Sequence, residues 1–152
     1  MKNLLFCALV LCTWLLDYVQ PAPPPAFQLP SEEERNRIAL KCIDEVKIEK
    51  SIIEEVLKTQ VLPHDDKKYK KFLECSYRKQ GFLSLDGSRM LYDNLFLFLT
   101  EFYNIDDLDA LEHCKYIKSK DPGDLCFQNL SCILDALRTV EAVNGEDEND
   151  VQ

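Results

Sequence analysis

Cysteine is the residue type whose number and spacing say most about the chemistry of this chain. The sequence of 152 residues has seven cysteines, of which Cys7 and Cys12 lie in an apolar N-terminal segment. The remaining five are Cys42, Cys75, Cys114, Cys126 and Cys132. In an oxidising compartment, such spaced cysteines indicate disulfides rather than metal ligands. Because five is an odd number, at most two bridges form within the chain and one thiol is left over.

The two histidines complete no catalytic or metal site in the sequence. His113 precedes Cys114, but neighbours on a helix point about 100° apart, and a bridged cysteine is no nucleophile. His64 precedes two aspartates, and an acidic segment starts at Asn104. Neither has the spacing of metal ligands, and the second lacks the glycine of an EF-hand loop. We therefore predict no enzyme, no metal and no cofactor.

The N-terminal segment is typical of a secretory signal peptide. Lys2 is followed by an apolar run from Leu4 to Leu16, which is shorter than the roughly 20 residues of a membrane-spanning helix. We predict a signal peptide over residues 1–22, with cleavage between Gln20 and Phe27, and thus a secreted protein without membrane insertion. The net charge of −9 argues against nucleic acid as a partner.

Helical periodicity dominates the rest of the chain. A proline-rich leader over residues 23–30 precedes Ser31, which with Glu34 forms a predicted capping box at the start of a first amphipathic helix. Apolar residues at helical spacing then predict further helices, with breaks at prolines and glycines. The fold class is all-α, with about six helices over residues 31–143 and an acidic, disordered tail over residues 144–152. The helices after the first are expected within residues 50–58, 65–81, 85–104, 106–119 and 123–143.

Helical phase favours one pairing of the cysteines but leaves others open. Cys126 and Cys132 are six residues apart, roughly 240° around a helix, and so face different neighbours. Cys42 and Cys75 lie on the apolar faces of the first and third predicted helices, where a bridge would join the two. Cys114 and Cys132 would then be joined across a turn, which leaves Cys126 unpaired.

The spaced cysteines of this acidic, helical chain resemble those of the insect odorant-binding (pheromone-binding) protein family. That family usually has six cysteines, paired first to third, second to fifth and fourth to sixth. Its second and fifth positions fall on Lys71 and Gly123 here, so the resemblance is to the C-minus subgroup, which lacks this bridge. It implies the bridges Cys42–Cys75 and Cys114–Cys132. Cys126 matches no family position, and we expect it to be a free, buried thiol.

The resemblance implies a soluble carrier whose helices enclose an apolar cavity for a small hydrophobic molecule such as an odorant or pheromone. A chemosensory receptor is a candidate partner, and we expect a monomer or a weak dimer. The candidate polar groups for orienting the ligand are the hydroxyls of Tyr69, Tyr77, Tyr92, Tyr103 and Tyr116, although a single tyrosine of this kind is more often a partly exposed aromatic. The expected cavity residues are Leu73, Leu91, Leu95, Leu99, Phe102, Phe127, Leu130 and Leu134.

Two further expectations concern single features of the sequence, and a third concerns the class of protein. Asn129 begins an Asn-Leu-Ser sequon and is a candidate N-glycosylation acceptor. By analogy with the family, the acidic tail is a candidate lid, with Val140 and Val143 as its apolar anchors. The competing interpretation is a secreted helical interaction protein, cytokine-like or of saliva, venom or seminal fluid. Such a protein would act through its surface or sequester other ligands.

Overall fold

The computed structural model describes residues 26–147, with side-chain environments for residues 26–142. Within this part of the chain there are six α-helices, one 3₁₀ helix and no strand, which confirms the all-α prediction. The α-helices are α1 Glu32–Val46, α2 Lys50–Thr59, α3 Lys67–Gln80, α4 Tyr92–Leu99, α5 Ile105–Leu108 and α6 Pro122–Asp147, and the 3₁₀ helix is Asp109–Tyr116.

Side chains at the helix ends explain where the main helices begin and end. The Ser31 hydroxyl accepts a hydrogen bond from the backbone N–H of Glu34, as the capping box requires. The Glu34 carboxylate contacts Arg37 instead of reaching back, so only half of the predicted box forms. Asp66 accepts from two N–H groups of the first turn of α3, and Gly81 ends that helix in the left-handed conformation, with φ of 79°.

The segment predicted as a fifth amphipathic α-helix is a short α-helix followed by a 3₁₀ helix. Its buried residues Leu108, Leu111 and Cys114 are spaced exactly three apart. A 3₁₀ helix has three residues per turn, so this spacing places all three on one face. The prediction of a regular α-helix over residues 106–119 was therefore wrong.

The predicted fourth helix is shorter than expected, because its first residues form a tight loop. Leu83 and Met90 make an isolated antiparallel bridge, and the loop between them turns at Gly87, where φ is 74°. The Asp86 carboxylate accepts hydrogen bonds from the hydroxyls of Ser84 and Ser88. These bonds stabilise the charged form and lower the pKa of Asp86 to about 2.

Helix α3 lies at the centre of the fold, packed against α1 on one side and α6 on the other. Both predicted disulfides are present. Cys42–Cys75 joins α1 to α3, and Cys114–Cys132 joins the 3₁₀ helix to α6. Closing loops of 33 and 18 residues, each bridge contributes about 3–4 kcal/mol in the chain-entropy model.

The structure describes part of the predicted leader and part of the predicted tail. Phe27 of the proline-rich leader packs against Gly81 at the end of α3. Helix α6 continues through Asp147, so residues 144–147 are helical rather than disordered. The predicted signal peptide and residues 148–152 lie outside the described part of the chain. Among the helices that are described, none has the length and apolar character needed to cross a membrane.

Candidate functional site

The predicted cavity residues do not line one enclosed space. Leu73, Leu95 and Leu99 are buried and fill the core between the helices. Leu91 and Leu130 are half-buried. The Phe102 side chain is 63% exposed because α4 ends at Leu99, so the helical stripe does not continue to residue 102. Phe102 was wrongly placed in a cavity.

Three open clefts, which share lining residues, lie around α2 and the segment that follows it. The largest has a volume of about 460 Å³. Its lining is mainly apolar and combines one face of α2 with the chain just after it. The lining residues are Ser51, Ile52, Glu55, Val56, Thr59, Val61, Leu62 and Pro63.

The other two clefts continue from the first toward α6. The second, of about 210 Å³, shares Val61 and Leu62 with the first and includes the predicted residues Phe127 and Leu134. The third, of about 300 Å³, shares His64 and Phe127 with the second. We call the three together the α2–α6 cleft. The predicted cavity residues did not include the α2 wall, although Ile52, Ile53 and Val56 were visible in the sequence as apolar residues of this helix.

Helix α2 is the element that gives this cleft its apolar wall. None of its residues is fully buried; Ile52, Ile53 and Val56 are only half-buried against the core. At its C-terminal end, Gln60 adopts the left-handed conformation with φ of 54°. The carbonyl oxygen of Gln60 accepts a hydrogen bond of 2.7 Å from Arg138 of α6, which joins the two walls of the cleft.

The charges in the α6 half of the cleft are paired. Lys70 contacts Asp124 at 2.7 Å and places its ammonium 5.1 Å from the centre of the Phe127 ring. Arg138 contacts Asp135 at 3.2 Å. This end of the cleft is therefore polar but close to neutral, while the α2 end is apolar.

The five tyrosines are not gathered around the cleft. Tyr69 is buried, and burial raises its pKa to about 12. Burial also raises the pKa of Tyr77. The Tyr103 hydroxyl donates to Glu141 at 3.2 Å, and Tyr116 is exposed. The Tyr92 hydroxyl contacts Asn129 in the interior. None of the five tyrosines lines the described clefts.

Tyr92 and Asn129 form a polar contact in the interior. The Tyr92 hydroxyl donates toward the side-chain oxygen of Asn129 and the carbonyl oxygen of Cys114. The Asn129 amide N–H donates to the Leu125 carbonyl at 3.0 Å, and the residue is fully buried. These bonds satisfy the polar atoms that burial would otherwise penalise. Such an environment argues against a glycan on Asn129 in the folded protein.

The Cys126 thiol is free and fully buried. Burial raises its pKa to about 12, and the nearby Glu74 adds to the shift. Because the thiolate is the reactive form, this thiol is inert in the folded state. Two groups with metal-ligand geometry, His113/Cys114/Cys132 and Cys42/Glu45/Cys75, occur in the described residues. Their cysteines form the two disulfides, so neither group offers a thiolate to a metal.

Gly123, one of the two positions where the resemblance would place a family cysteine, lies against the residue that precedes the other position, Lys71. A Cβ atom on Gly123, at the start of α6, would lie 3.0 Å from the carbonyl oxygen of Lys70. Lys70 is the residue before Lys71 on α3. The Lys70–Asp124 ion pair therefore joins α3 to α6 next to the place where the family has a disulfide.

The described residues form an all-α domain of six α-helices and one 3₁₀ helix, with two disulfides and an open apolar cleft. The model of the PBP/GOBP family matches residues 26–136, and the chain belongs to this family. Its class is therefore that of odorant- and pheromone-binding proteins, which are carriers of small ligands rather than enzymes. No curated protein matches the chain.

Proposed function

We propose that the protein is a secreted soluble carrier that binds one small hydrophobic molecule, an odorant, pheromone or similar semiochemical, in the α2–α6 cleft. The observation that carries the proposal is the apolar wall of α2, none of whose residues is fully buried. The adjoining space of about 460 Å³ falls within the roughly 300–1,000 Å³ of small-molecule sites.

Burial of the guest would supply the binding energy. Each CH₂ group moved from water to an apolar surface contributes about 0.8 kcal/mol. Ile52, Val56 and Leu62 would cover the apolar part of the ligand. The charges at the α6 end are already paired with one another. A polar group of the ligand at this end would therefore contact solvent or His64. No bond is made or broken, so the role is binding without catalysis.

The remaining family expectations belong to the same proposal. The absence of cysteine at Lys71 and Gly123 favours membership of the C-minus subgroup. The carrier would act as a monomer or a weak dimer and would deliver its ligand toward a chemosensory receptor.

The test is displacement of a fluorescent hydrophobic probe from the refolded chain, with both bridges formed, by volatile and fatty compounds. We expect saturable binding near one probe per chain and competition by some of the compounds. Absence of saturable binding by the monomeric, correctly bridged protein would contradict the proposal. That result would favour the competing interpretation of a secreted protein that acts through its surface.

A further inference from the structure

The two disulfides have closely similar settings but differ in the ionisable group beside them. In each bridge one cysteine, Cys42 or Cys114, is fully buried and its partner is half-buried. The half-buried partner is Cys75 in one bridge and Cys132 in the other. The two disulfides can therefore be compared for their reactivity, since their cysteines have similar exposure and different neighbouring side chains.

An imidazole lies against one bridge and a carboxylate against the other. The Nε2 atom of His113 is 3.2 Å from Sγ of Cys132 and 3.7 Å from Sγ of Cys114. An Oε2 atom of Glu45 is 3.4 Å from Sγ of Cys75. Lys79 contacts Glu45 at 3.2 Å and partly offsets its negative charge.

These neighbours act in opposite directions on thiol–disulfide exchange. Exchange begins when a thiolate attacks one sulfur of the bridge, and it is faster when the departing sulfur is stabilised or protonated. A positively charged imidazole attracts the incoming thiolate and supplies a proton to the leaving sulfur. A carboxylate repels the thiolate and offers no proton.

Cys132 is also reachable from solvent. It lines the third part of the α2–α6 cleft, together with His64, Lys70 and Ser131. A small thiol that enters this cleft meets Cys132 before the buried Cys114.

We propose that Cys132 is a modification site for low-molecular-weight thiols, with His113 as the acid of the exchange. The thiolate attacks Sγ of Cys132, a new S–S bond forms there, and the Cys132–Cys114 bond breaks. The electron pair of that bond goes to Sγ of Cys114, which takes a proton from the His113 imidazolium. The products are a mixed disulfide on Cys132, a thiol on Cys114 and a neutral imidazole. The adduct then occupies the α6 end of the cleft.

The experiment exposes the native, doubly bridged protein to 2-mercaptoethanol, a neutral thiol that the protein's net charge does not steer. Samples are quenched with N-ethylmaleimide at intervals, and the labelled cysteines are identified by peptide mass spectrometry. Cys126 serves as an internal control, because a label on this fully buried thiol would report unfolding rather than exchange. His113→Gln is the test variant. Lys118→Gln, which removes an exposed cation outside the α2–α6 cleft, is its control.

The mercaptoethanol adduct on Cys132, with maleimide on Cys114, is expected to appear about fivefold faster than any label on Cys42 or Cys75. His113→Gln should remove most of this difference, while Lys118→Gln should leave it in place. Cys126 should stay unlabelled in all of the proteins. Equal opening of the two bridges, an adduct on Cys114 instead of Cys132, or an unchanged rate in His113→Gln would overturn the proposal. The outcome does not depend on whether a hydrophobic ligand binds.

Discussion

Gly123 of α6 lies directly against the backbone of Lys70 in α3: a Cβ atom on Gly123 would lie 3.0 Å from the Lys70 carbonyl oxygen and 3.2 Å from its carbonyl carbon. The contact explains why a residue without a side chain stands here. It also places α6 beside Lys71, the other position at which the family pattern has a cysteine and this chain does not.

The double variant Lys71→Cys/Gly123→Cys should form an additional disulfide on oxidative refolding, because the two backbones already meet. The chain-entropy model assigns a loop of this length about 4 kcal/mol, and we expect a smaller gain because the Cβ at residue 123 is crowded. Intact mass and the urea midpoint measure both effects. The single variant Gly123→Cys is the control and should be less stable than the parent. Two additional free thiols in the refolded double variant would show that residues 71 and 123 are not placed to form a disulfide.

The Lys70–Asp124 ion pair should couple α3 to α6. Since Lys70 and Asp124 are 24% and 41% exposed, solvent screens the pair, and a double-mutant cycle with Lys70→Met and Asp124→Asn should give about 0.5–1 kcal/mol. The coupling, measured by urea unfolding, should shrink in 1 M salt (a Debye length of about 3 Å). A cycle on the exposed Lys47–Asp44 pair is the control and should show a smaller coupling. Equal coupling energies in the two cycles would contradict the proposed coupling of α3 to α6 by this ion pair.

Tyr92→Phe should lower the free energy of unfolding by about 1–3 kcal/mol, because it leaves the buried Asn129 oxygen without its donor. Tyr116→Phe removes a hydroxyl from an exposed ring and is the matched control, with little expected effect. Chemical denaturation of the three proteins gives the comparison. If both variants lose the same stability, the interior contact has no special role.

Asn129 should carry no glycan in protein secreted from eukaryotic cells, because its amide is buried and hydrogen-bonded in the fold. The check is the intact mass before and after treatment with an N-glycosidase, with a secreted glycoprotein as the positive control. A glycosidase-sensitive mass on the folded, bridged protein would show that the environment of Asn129 is different from the one described.

Stability should fall at alkaline pH, and Cys126 should be a main cause. Its pKa is raised from 9.0 to about 12 in the folded state. The unfolded chain loses this proton near pH 9 while the folded chain keeps it, so the contribution to stability is complete below pH 9 and declines up to about pH 12. Tyr69 and Tyr92, raised from 10.0 to about 12, add to the decline above pH 10.

Urea midpoints measured from pH 8 to pH 11 test this explanation. The variant Cys126→Ala should lose stability less steeply between pH 9 and pH 10, where the thiol is the main titrating group of the three. Identical slopes for the parent and the variant would remove Cys126 from the explanation.

Local sequence signals predicted much of the fold correctly. Ser31 and Asp66 mark the starts of α1 and α3 because their side chains cap nearby N–H groups, and Gly81 ends α3 because it adopts positive φ. The pairing of the bridged cysteines was implied by the family resemblance, and helical phase favoured the same pairing. These features depend on interactions within a few residues or on a fixed covalent pattern, and both can be recognised in one sequence.

The errors arose where tertiary packing decides the structure. The spacing of three between Leu108, Leu111 and Cys114 was a visible 3₁₀ signal, but it was taken for an amphipathic α-helix. The position of Phe102 depended on the end of α4, which no glycine or proline marks. The stripe of Leu95 and Leu99 fills the core, while α2, with fewer apolar residues, leaves its apolar face half open.

The most direct test of the carrier proposal measures binding of the hydrophobic probe to two variants, each changed at one of two neighbouring residues of α2. Val56 lines the apolar cleft, whereas Leu57 is 78% exposed and does not. We predict that Val56→Asp weakens binding of the hydrophobic probe about tenfold, since a carboxylate then meets the apolar guest, and that Leu57→Asp binds as the parent does. Equal affinity in all three proteins, with circular dichroism showing them folded, would contradict the assignment of the ligand to the α2–α6 cleft.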